Sequence, residues 1–237
     1  MQCIRLPLKG AINTRDLGGY CTKDGKVTKF NVFVRSNRLT ELTYEDNEFL
    51  RKYNITDIID LRGNTNIQSS FISDDNINKD YFNLHYIPLS NIEIEQYVKE
   101  NSQTKEFNYG IGYSYLLKNK EKIKKIFKVL VNSEGGVLFH CSAGKDRTGV
   151  IAALILGVCN VNQLDIIANY QVTSTYMKDE EIMKEYDDNL QKSDADYMDT
   201  FIKILYKQYG SFENYLLSCD ILKEEINRLK NKFCEKI

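Results

Sequence analysis

Tryptophan is absent from the 237 residues, and proline and histidine occur only twice each. Two histidines, His85 and His140, are too few for a His-rich metal site. The six cysteines, at positions 3, 21, 141, 159, 219 and 234, contain no Cys-x-x-Cys pair and are far too sparse for a secreted disulfide scaffold. Reduced thiols and a cytoplasmic setting are therefore expected. A surplus of either charge is missing too, since Lys plus Arg total 32 against 33 for Asp plus Glu. That balance excludes a nucleic-acid coat or a polybasic membrane anchor, so no nucleic-acid partner is expected. Long apolar runs are lacking: the longest, Val150 to Cys159, falls far short of the roughly 20 residues of a spanning helix, so no stable membrane insertion is expected. The opening residues, Met1 to Pro7, have no long apolar segment of the signal-peptide kind. With 42% hydrophobic residues the chain is too apolar for disorder, and a globular protein is what remains.

Repeats, low-complexity tracts and Pro/Gly/Ser-rich linkers are likewise absent, and a single domain over 1–237 is the default reading. Asp24-Gly25 signals a turn, and Asn31 to Arg35 reads as a short strand. Thr43 to Tyr53 carries helical spacing and leads into Ile55 to Leu61, whose near-continuous β-branched run suits a strand buried on both faces of a parallel sheet. Leu84 to Leu89 is a third strand, whereas residues 91–112 are polar, irregular and without a clear period. Leu116, Leu117, Ile123, Phe127, Leu130 and Val131 recur at helical spacing until Gly135-Gly136 breaks the pattern. Val137-Leu138-Phe139 is then a short buried strand, Val150 to Val158 a core helix, and the chain reads as almost wholly helical from about Leu164 onward. Gly210 separates a helix over roughly 195–209 from later ones. Alternating strands and helices followed by a helical tail predict an α/β fold: a central, mainly parallel sheet of four or five strands flanked by helices.

The chemistry concentrates in residues 137–150, Val-Leu-Phe-His-Cys-Ser-Ala-Gly-Lys-Asp-Arg-Thr-Gly-Val. A strand, a tight loop and a helix starting near Thr148 follow one another, with Cys141 and Arg147 at the two ends of the loop. Such a loop curls so that the amides from Ser142 to Arg147, through Ala143, Gly144, Lys145 and Asp146, converge on one point at the positive end of a helix dipole. That point suits a tetrahedral dianion, two of whose oxygens the Arg147 fork can grip. Cys141 at the base of the same field is expected to favour the thiolate and to attack phosphorus in line. The competing reading is a buried cysteine that only packs before a helix. A nucleotide-binding loop ending at Gly144-Lys145 is excluded, because it would need Gly at Phe139 and Ser or Thr at Asp146.

This stretch resembles the signature His-Cys-x-x-Gly-x-x-Arg-Thr/Ser-Gly of the Cys-dependent protein tyrosine phosphatase superfamily. Its Gly-Lys-Asp-Arg-Thr-Gly ending resembles the bacterial tyrosine/dual-specificity branch. Asn13-Thr14-Arg15-Asp16-Leu17-Gly18-Gly19-Tyr20, Val34-Arg35-Ser36, Ile59-Asp60-Leu61-Arg62 and Tyr209-Gly210-Ser211 with Tyr215-Leu216 are similar to motifs of that branch, so the likeness covers nearly the whole chain. Asn66 departs from it, standing where a Glu is expected. The resemblance implies the phosphatase fold and a metal-free, cofactor-free hydrolysis of phosphomonoesters through a cysteinyl-phosphate. Phosphotyrosine protein is the leading substrate, with a phosphoinositide or inositol phosphate as runner-up. A phosphate-binding module without turnover is the rival from another class.

Tyrosine phosphatases usually supply their general acid, an Asp, from a loop some thirty residues before the cysteine, as the resemblance implies. No Asp occurs between Asp80 and Asp146. Asp146, inside the loop, is the first candidate for the acid; otherwise it merely pairs with a cation such as Arg15. Asp16, Asp60, Glu93, Glu95, Glu100 and Glu106 are the alternatives, the glutamates only if residues 91–112 fold over the pocket. His140 is expected to fix the Cys141 backbone. Thr148 is expected to donate to the Cys141 sulfur or to cap the helix. Lys145 either attracts a polyanionic substrate or balances Asp146. Tyr109, Tyr113 and Tyr115 line an aromatic pocket or belong to an amphipathic core.

Overall fold

The structure, a computed structural model, describes residues 1–63, 76–90, 92–178 and 191–236. Asn66 lies outside them. Five strands form the central sheet in the order β1-β3-β6-β4-β5: β1 (Arg15–Asp16), β3 (Phe33–Ser36), β6 (Gly136–His140), β4 (Ile55–Asp60) and β5 (Asn83–Tyr86). β1 runs antiparallel to β3, and the other pairings are parallel. The mainly parallel sheet of the sequence reading is thus present.

The alternation of side chains across the strands splits the core in two. Phe33, Ile59, Val137 and Phe139 face one way, into a large apolar cluster; Val34, Ile58 and Leu138 face the other, into a smaller one with Leu6, Leu39 and Leu50. The smaller layer is closed by α1 (Tyr44–Lys52), whose start is set by a capping box between Thr43 and Asp46. The larger layer is built by α4 (Lys120–Asn132), which buries Ile123, Ile126, Phe127, Leu130 and Val131, and by α5 (Asp146–Val158), buried along almost its whole length. Helices α6 (Gln163–Met177), α7 (Ala195–Tyr209), α8 (Phe212–Ser218) and α9 (Lys223–Phe233) pack outside it.

Several boundaries differ from expectation for physical reasons. The strand expected from Asn31 begins at Phe33, because Asn31 adopts a left-handed φ of 67°. The third strand stops at Tyr86, ahead of Pro88, although the backbone continues to bond through Ile87 and Leu89. Residues 91–112, read as irregular, hold α2 (Ile92–Asn101) and the start of α3 (Tyr109–Leu116). α2 buries no residue fully, so it shows little of the core-facing stripe that marks a helix in sequence. The tail is not wholly helical: β7 (Cys234–Lys236) pairs antiparallel with β2 (Lys26–Thr28).

Candidate active site

β6 ends at His140, and Cys141 to Lys145 turn into α5, which starts at Asp146, two positions before the expected start. Arg147 thereby sits in the first helical turn. Every loop carbonyl from Ser142 to Lys145 is held from outside. Ser142 O accepts from the Arg38 amide at 2.8 Å, and Ala143 O from Asn13 Nδ2 at 2.8 Å. Gly144 O accepts from Arg35 Nη2 at 2.8 Å, and Lys145 O from the Gly149 amide at 2.8 Å. The peptide bonds of the loop are trans, so each outward carbonyl turns the following N–H the opposite way. The amides of Ala143, Gly144, Lys145 and Asp146 therefore face the loop's interior, the concave donor set that an anion requires. Gly144 makes the curl possible: its φ is 68°, and a Cβ there would lie 2.5 Å from Ser36 O.

The motifs upstream are the loop's scaffold. Buried Arg35 splits its guanidinium between Gly144 O and Asn169 Oδ1, the latter at 2.6 Å. Burial lowers its pKa to about 10, still far above neutrality. Arg15 donates to Asn13, to Asn169 O at 2.8 Å and to Thr173 Oγ1 at 2.9 Å. It is thus spent on the scaffold, not on Asp146. Asn169 ties both arginines and donates to Tyr20 Oη at 3.0 Å. Leu61, in the Asp-Leu-Arg motif, donates its N–H to His140 O at 2.9 Å and accepts from Arg147 Nη1 at 3.4 Å, aligning the arginine with the strand that carries the cysteine. Asp60 and Arg62 close on each other at 2.8 Å. His140 lies fully buried with Nδ1 3.4 Å from Cys141 O; burial lowers its pKa to about 4, and the ring is neutral at pH 7.

Cys141, 2% exposed, Ser142, Ala143, Lys145, Asp146 and Arg147 form the floor of a pocket of about 190 Å³. Its walls are Ile94, Glu95 and Val98 from α2 and Tyr109 from α3. A second chamber of about 270 Å³, between Leu89, Ser90, Tyr113 and Leu116, shares Glu95, Tyr109, Asp146 and Arg147 with the first. A larger, open groove of about 610 Å³ lies elsewhere, along α4 and β5; its Asp57 is occupied by His85, Ser133 and Thr56. Volume is the wrong guide here, since the loop that can hold an anion is at the smaller pocket.

The expected site residues are therefore brought together, and Thr148, Lys145 and the three tyrosines are placed as follows. Among the described residues the buried Thr148 Oγ1 has no hydrogen-bond partner, so the expected bond to the Cys141 sulfur is not made. Lys145 is 1% exposed: its Nζ bonds Lys192 O at 3.1 Å, lies 3.4 Å from Asp146 Oδ1 and sits over the Tyr109 ring, which is the balancing role rather than a free surface charge. The three tyrosines divide. Tyr109 lines the pocket, Tyr113 is core and donates to Asp146 Oδ1, and Tyr115 packs on Tyr97 and Lys118. Among the alternative acids, Asp16 is bonded by Gly18 N, Asn31 N and Tyr53 Oη, Asp60 by Arg62, and Glu93 by Lys118; only Glu95 reaches the pocket. Asn169, Thr173 and Tyr170 escaped the sequence reading, because no local pattern marks a helix residue whose partner lies far along the chain: Asn169 and Thr173 bond to strand arginines more than 130 positions away, and Tyr170 bonds to Tyr113, 57 positions away.

Among the described residues no group of three His, Cys, Asp or Glu side chains could hold a metal ion, and no helix is long and apolar enough to cross a membrane. Comparison with known proteins agrees with the geometry. Residues 6–235 match the tyrosine phosphatase family. A tyrosine-protein phosphatase of Nostoc commune is 27% identical over 221 residues, covering 84% of this chain and 73% of that protein. The crystal structure of P. aeruginosa TpbA covers 83% of this chain and 91% of its own at 12% identity, with a TM-score of 0.45. With the family match spanning nearly every element that builds the loop, the chain belongs to the tyrosine phosphatase family, and its enzyme class is protein-tyrosine phosphatase, a phosphoric monoester hydrolase.

Proposed function

We propose that this enzyme hydrolyses phosphotyrosine in proteins through a cysteinyl-phosphate, with Cys141 as nucleophile, Arg147 and the loop amides as oxyanion ligands and Asp146 as general acid. The observation that carries the reading is the single pocket in which these three side chains meet beneath Ile94, Val98 and Tyr109. Two apolar side chains and one aromatic ring above an anion cradle suit an aryl phosphate: the ring takes the walls and the phosphate the floor. The Cys141 thiolate attacks phosphorus, the P–O(aryl) bond breaks, and the Asp146 proton goes to the departing phenolate. Asp146, now a carboxylate, takes a proton from water as the water's oxygen attacks phosphorus. The S–P bond breaks, and inorganic phosphate and the thiolate are released. Arg147 and the inward amides bind the equatorial oxygens in both transition states. The buried Thr148 hydroxyl, unpaired among the described residues, has a proton to offer the sulfur as it leaves.

Phosphoserine and phosphothreonine turnover on the same machinery would make the enzyme dual-specific. The inositol phosphate reading draws on Lys145 as well as on the resemblance to phosphatases with a basic loop, and the Lys145 ammonium lies against Lys192 O, Asp146 and the Tyr109 ring, which weakens the first of these supports. A binding module without turnover would not need a nucleophile and an acid in one pocket. Because segments from Asn13 to Thr173 all support the loop, residues 1–237 are read as one catalytic domain.

The test is a phosphotyrosine peptide assay in excess chelator. Cys141→Ser is expected to abolish turnover yet still bind inorganic phosphate, because the amides remain. Arg147→Lys is expected to lose most activity, because a point charge does not replace the fork. Full activity in either variant, or loss of activity on chelation, overturns the proposal.

A further inference from the structure

Two polar groups converge on one oxygen of Asp146. Tyr113 donates its phenolic O–H to Oδ1, and Lys145 Nζ lies 3.4 Å from the same atom. Among the described residues Oδ2 has no such partner. Tyr113 comes from α3 and is fully buried, and its hydroxyl oxygen is 2.6 Å from that of Tyr170 on α6. A phenol has one proton, and that of Tyr113 is spent on Asp146, so Tyr170 is the donor between the two tyrosines. A directed chain runs from Tyr170 through Tyr113 to Asp146 and ends at the pocket. Burial and the nearby Asp146 hold the Tyr113 pKa well above the ordinary phenol range, so this donor keeps its proton throughout the working pH range.

We infer that Tyr113, backed by Tyr170, is a positioning residue that pins Asp146 Oδ1 and so places the transferable proton on Oδ2, the oxygen free to meet the leaving group. This rests on the reading of Asp146 as the general acid. A carboxylic acid carries its proton on one oxygen, and an oxygen that already accepts from a phenol and faces an ammonium is the poorer site for it. The other groups around this carboxyl are Glu95 on α2, Tyr109 on α3, Arg147 and Cys141 in the loop, and Tyr197 on α7. Packing alone would be served equally well by phenylalanine at 113; the hydroxyl is what the site uses.

The experiment measures kcat/KM against pH for aryl phosphates of increasing leaving-group basicity, in the parent, Tyr113→Phe, Asp146→Asn and the double variant, with inorganic phosphate binding as the check on loop integrity. Tyr113→Phe is expected to lose roughly 10-fold on unsubstituted phenyl phosphate and less than about twofold on a dinitrophenyl phosphate, because only the former needs the proton. In the double variant the Tyr113 change is expected to add nothing to Asp146→Asn. If Asp146→Asn loses activity uniformly across leaving groups, the general-acid reading fails. If Asp146→Asn gives a graded loss but Tyr113→Phe gives a uniform one or none, the positioning role fails while the acid stands. Should Tyr113→Phe not fold, Tyr170→Phe takes its place, with the same graded pattern expected at two- to threefold and a flat response overturning the inference.

Discussion

Asn13 Nδ2 donates to the carbonyl of Ala143 at 2.8 Å, fastening the chain ahead of β1 to the middle of the loop that carries Cys141. The same side chain accepts from Arg15 Nη1 through its Oδ1, so one buried amide links the loop to the Arg15–Asn169 scaffold. Asn13→Ala would strand the Ala143 carbonyl and one arginine N–H in a region without solvent. The expected cost is about 1–3 kcal/mol in urea unfolding. Because the stranded carbonyl belongs to the anion cradle, kcat/KM is expected to fall roughly 10-fold as well. Unchanged kcat/KM in a destabilised variant would mean that the loop holds its shape without this strut.

Gly144 permits a sharper test of the same loop. Its left-handed φ costs an ordinary residue roughly 1–2 kcal/mol, and a Cβ would collide with the β3 backbone at Ser36. Backbone cannot move aside as a flexible side chain does. Gly144→Ala is expected to lower stability by more than about 2 kcal/mol and to weaken inorganic phosphate binding at least 10-fold by isothermal titration. Gly25 also has a left-handed φ, yet a Cβ there meets nothing within 4 Å, so Gly25→Ala is expected to cost only the backbone term and leave phosphate binding intact. Equal effects at the two glycines would contradict the argument from close approach.

Much of this site is legible in the chain because its parts are local. The strand before Cys141 and the glycine and helix after it are contiguous, and β4 announces itself by a near-continuous β-branched run. The Thr43 capping box sets the start of α1 from four consecutive residues. The remainder depends on contacts across long separations. Nothing near Asn169 shows that it will bond to Arg35 from 134 positions away, and nothing near Tyr113 shows that it will reach Asp146, 33 positions away. Lys145 stays open in sequence between drawing in a polyanion and balancing Asp146, because only the folded chain brings Lys192 O and the Tyr109 ring against it. α2 escaped for the opposite reason: a polar helix with no fully buried residue looks like a loop.

Among the described residues lining the pocket, α2 contributes the one rival carboxyl. Glu95 lines both chambers, whereas Glu93 is paired with Lys118. With Asp146 as the acid, Asp146→Ala is expected to damage phosphoserine hydrolysis most, phosphotyrosine less and an activated nitrophenyl phosphate least, over a span of roughly 10²–10⁴. Glu95→Gln is expected to change all three substrates by a common factor of about two or less. The reverse pattern, graded loss at Glu95 and uniform loss at Asp146, would move the proton donor to α2 and leave Asp146 as a loop brace.

Two buried groups, His140 beside the loop and Asp16 on β1, titrate in opposite senses, and stability against pH reports them. Burial lowers the His140 pKa from 6.5 to about 4. Between these values the unfolded chain binds a proton that the native state refuses, so this contribution is complete above pH 6.5 and is lost as pH falls toward 4. The slope is about 1.4 kcal/mol per pH unit. Burial raises the Asp16 pKa from 3.8 to about 6 despite its hydrogen bonds. Here the native state takes the proton first, so stability increases as pH falls from about 6 toward 4, with the same slope and the opposite sign. Carboxyls held below their ordinary values, such as Asp46 and Asp57, act only at lower pH. From about pH 6 to 4.5 the His140 and Asp16 contributions cancel, and the unfolding free energy of the parent is expected to be nearly flat. Asp16→Asn removes one partner and leaves the other exposed. Apart from a constant offset, its urea-unfolding free energy is expected to fall below that of the parent by a further 1.4 kcal/mol or so for each unit under about pH 6. Parallel curves for the two proteins would show that Asp16 keeps its charge when buried, and that its three donors outweigh the loss of water.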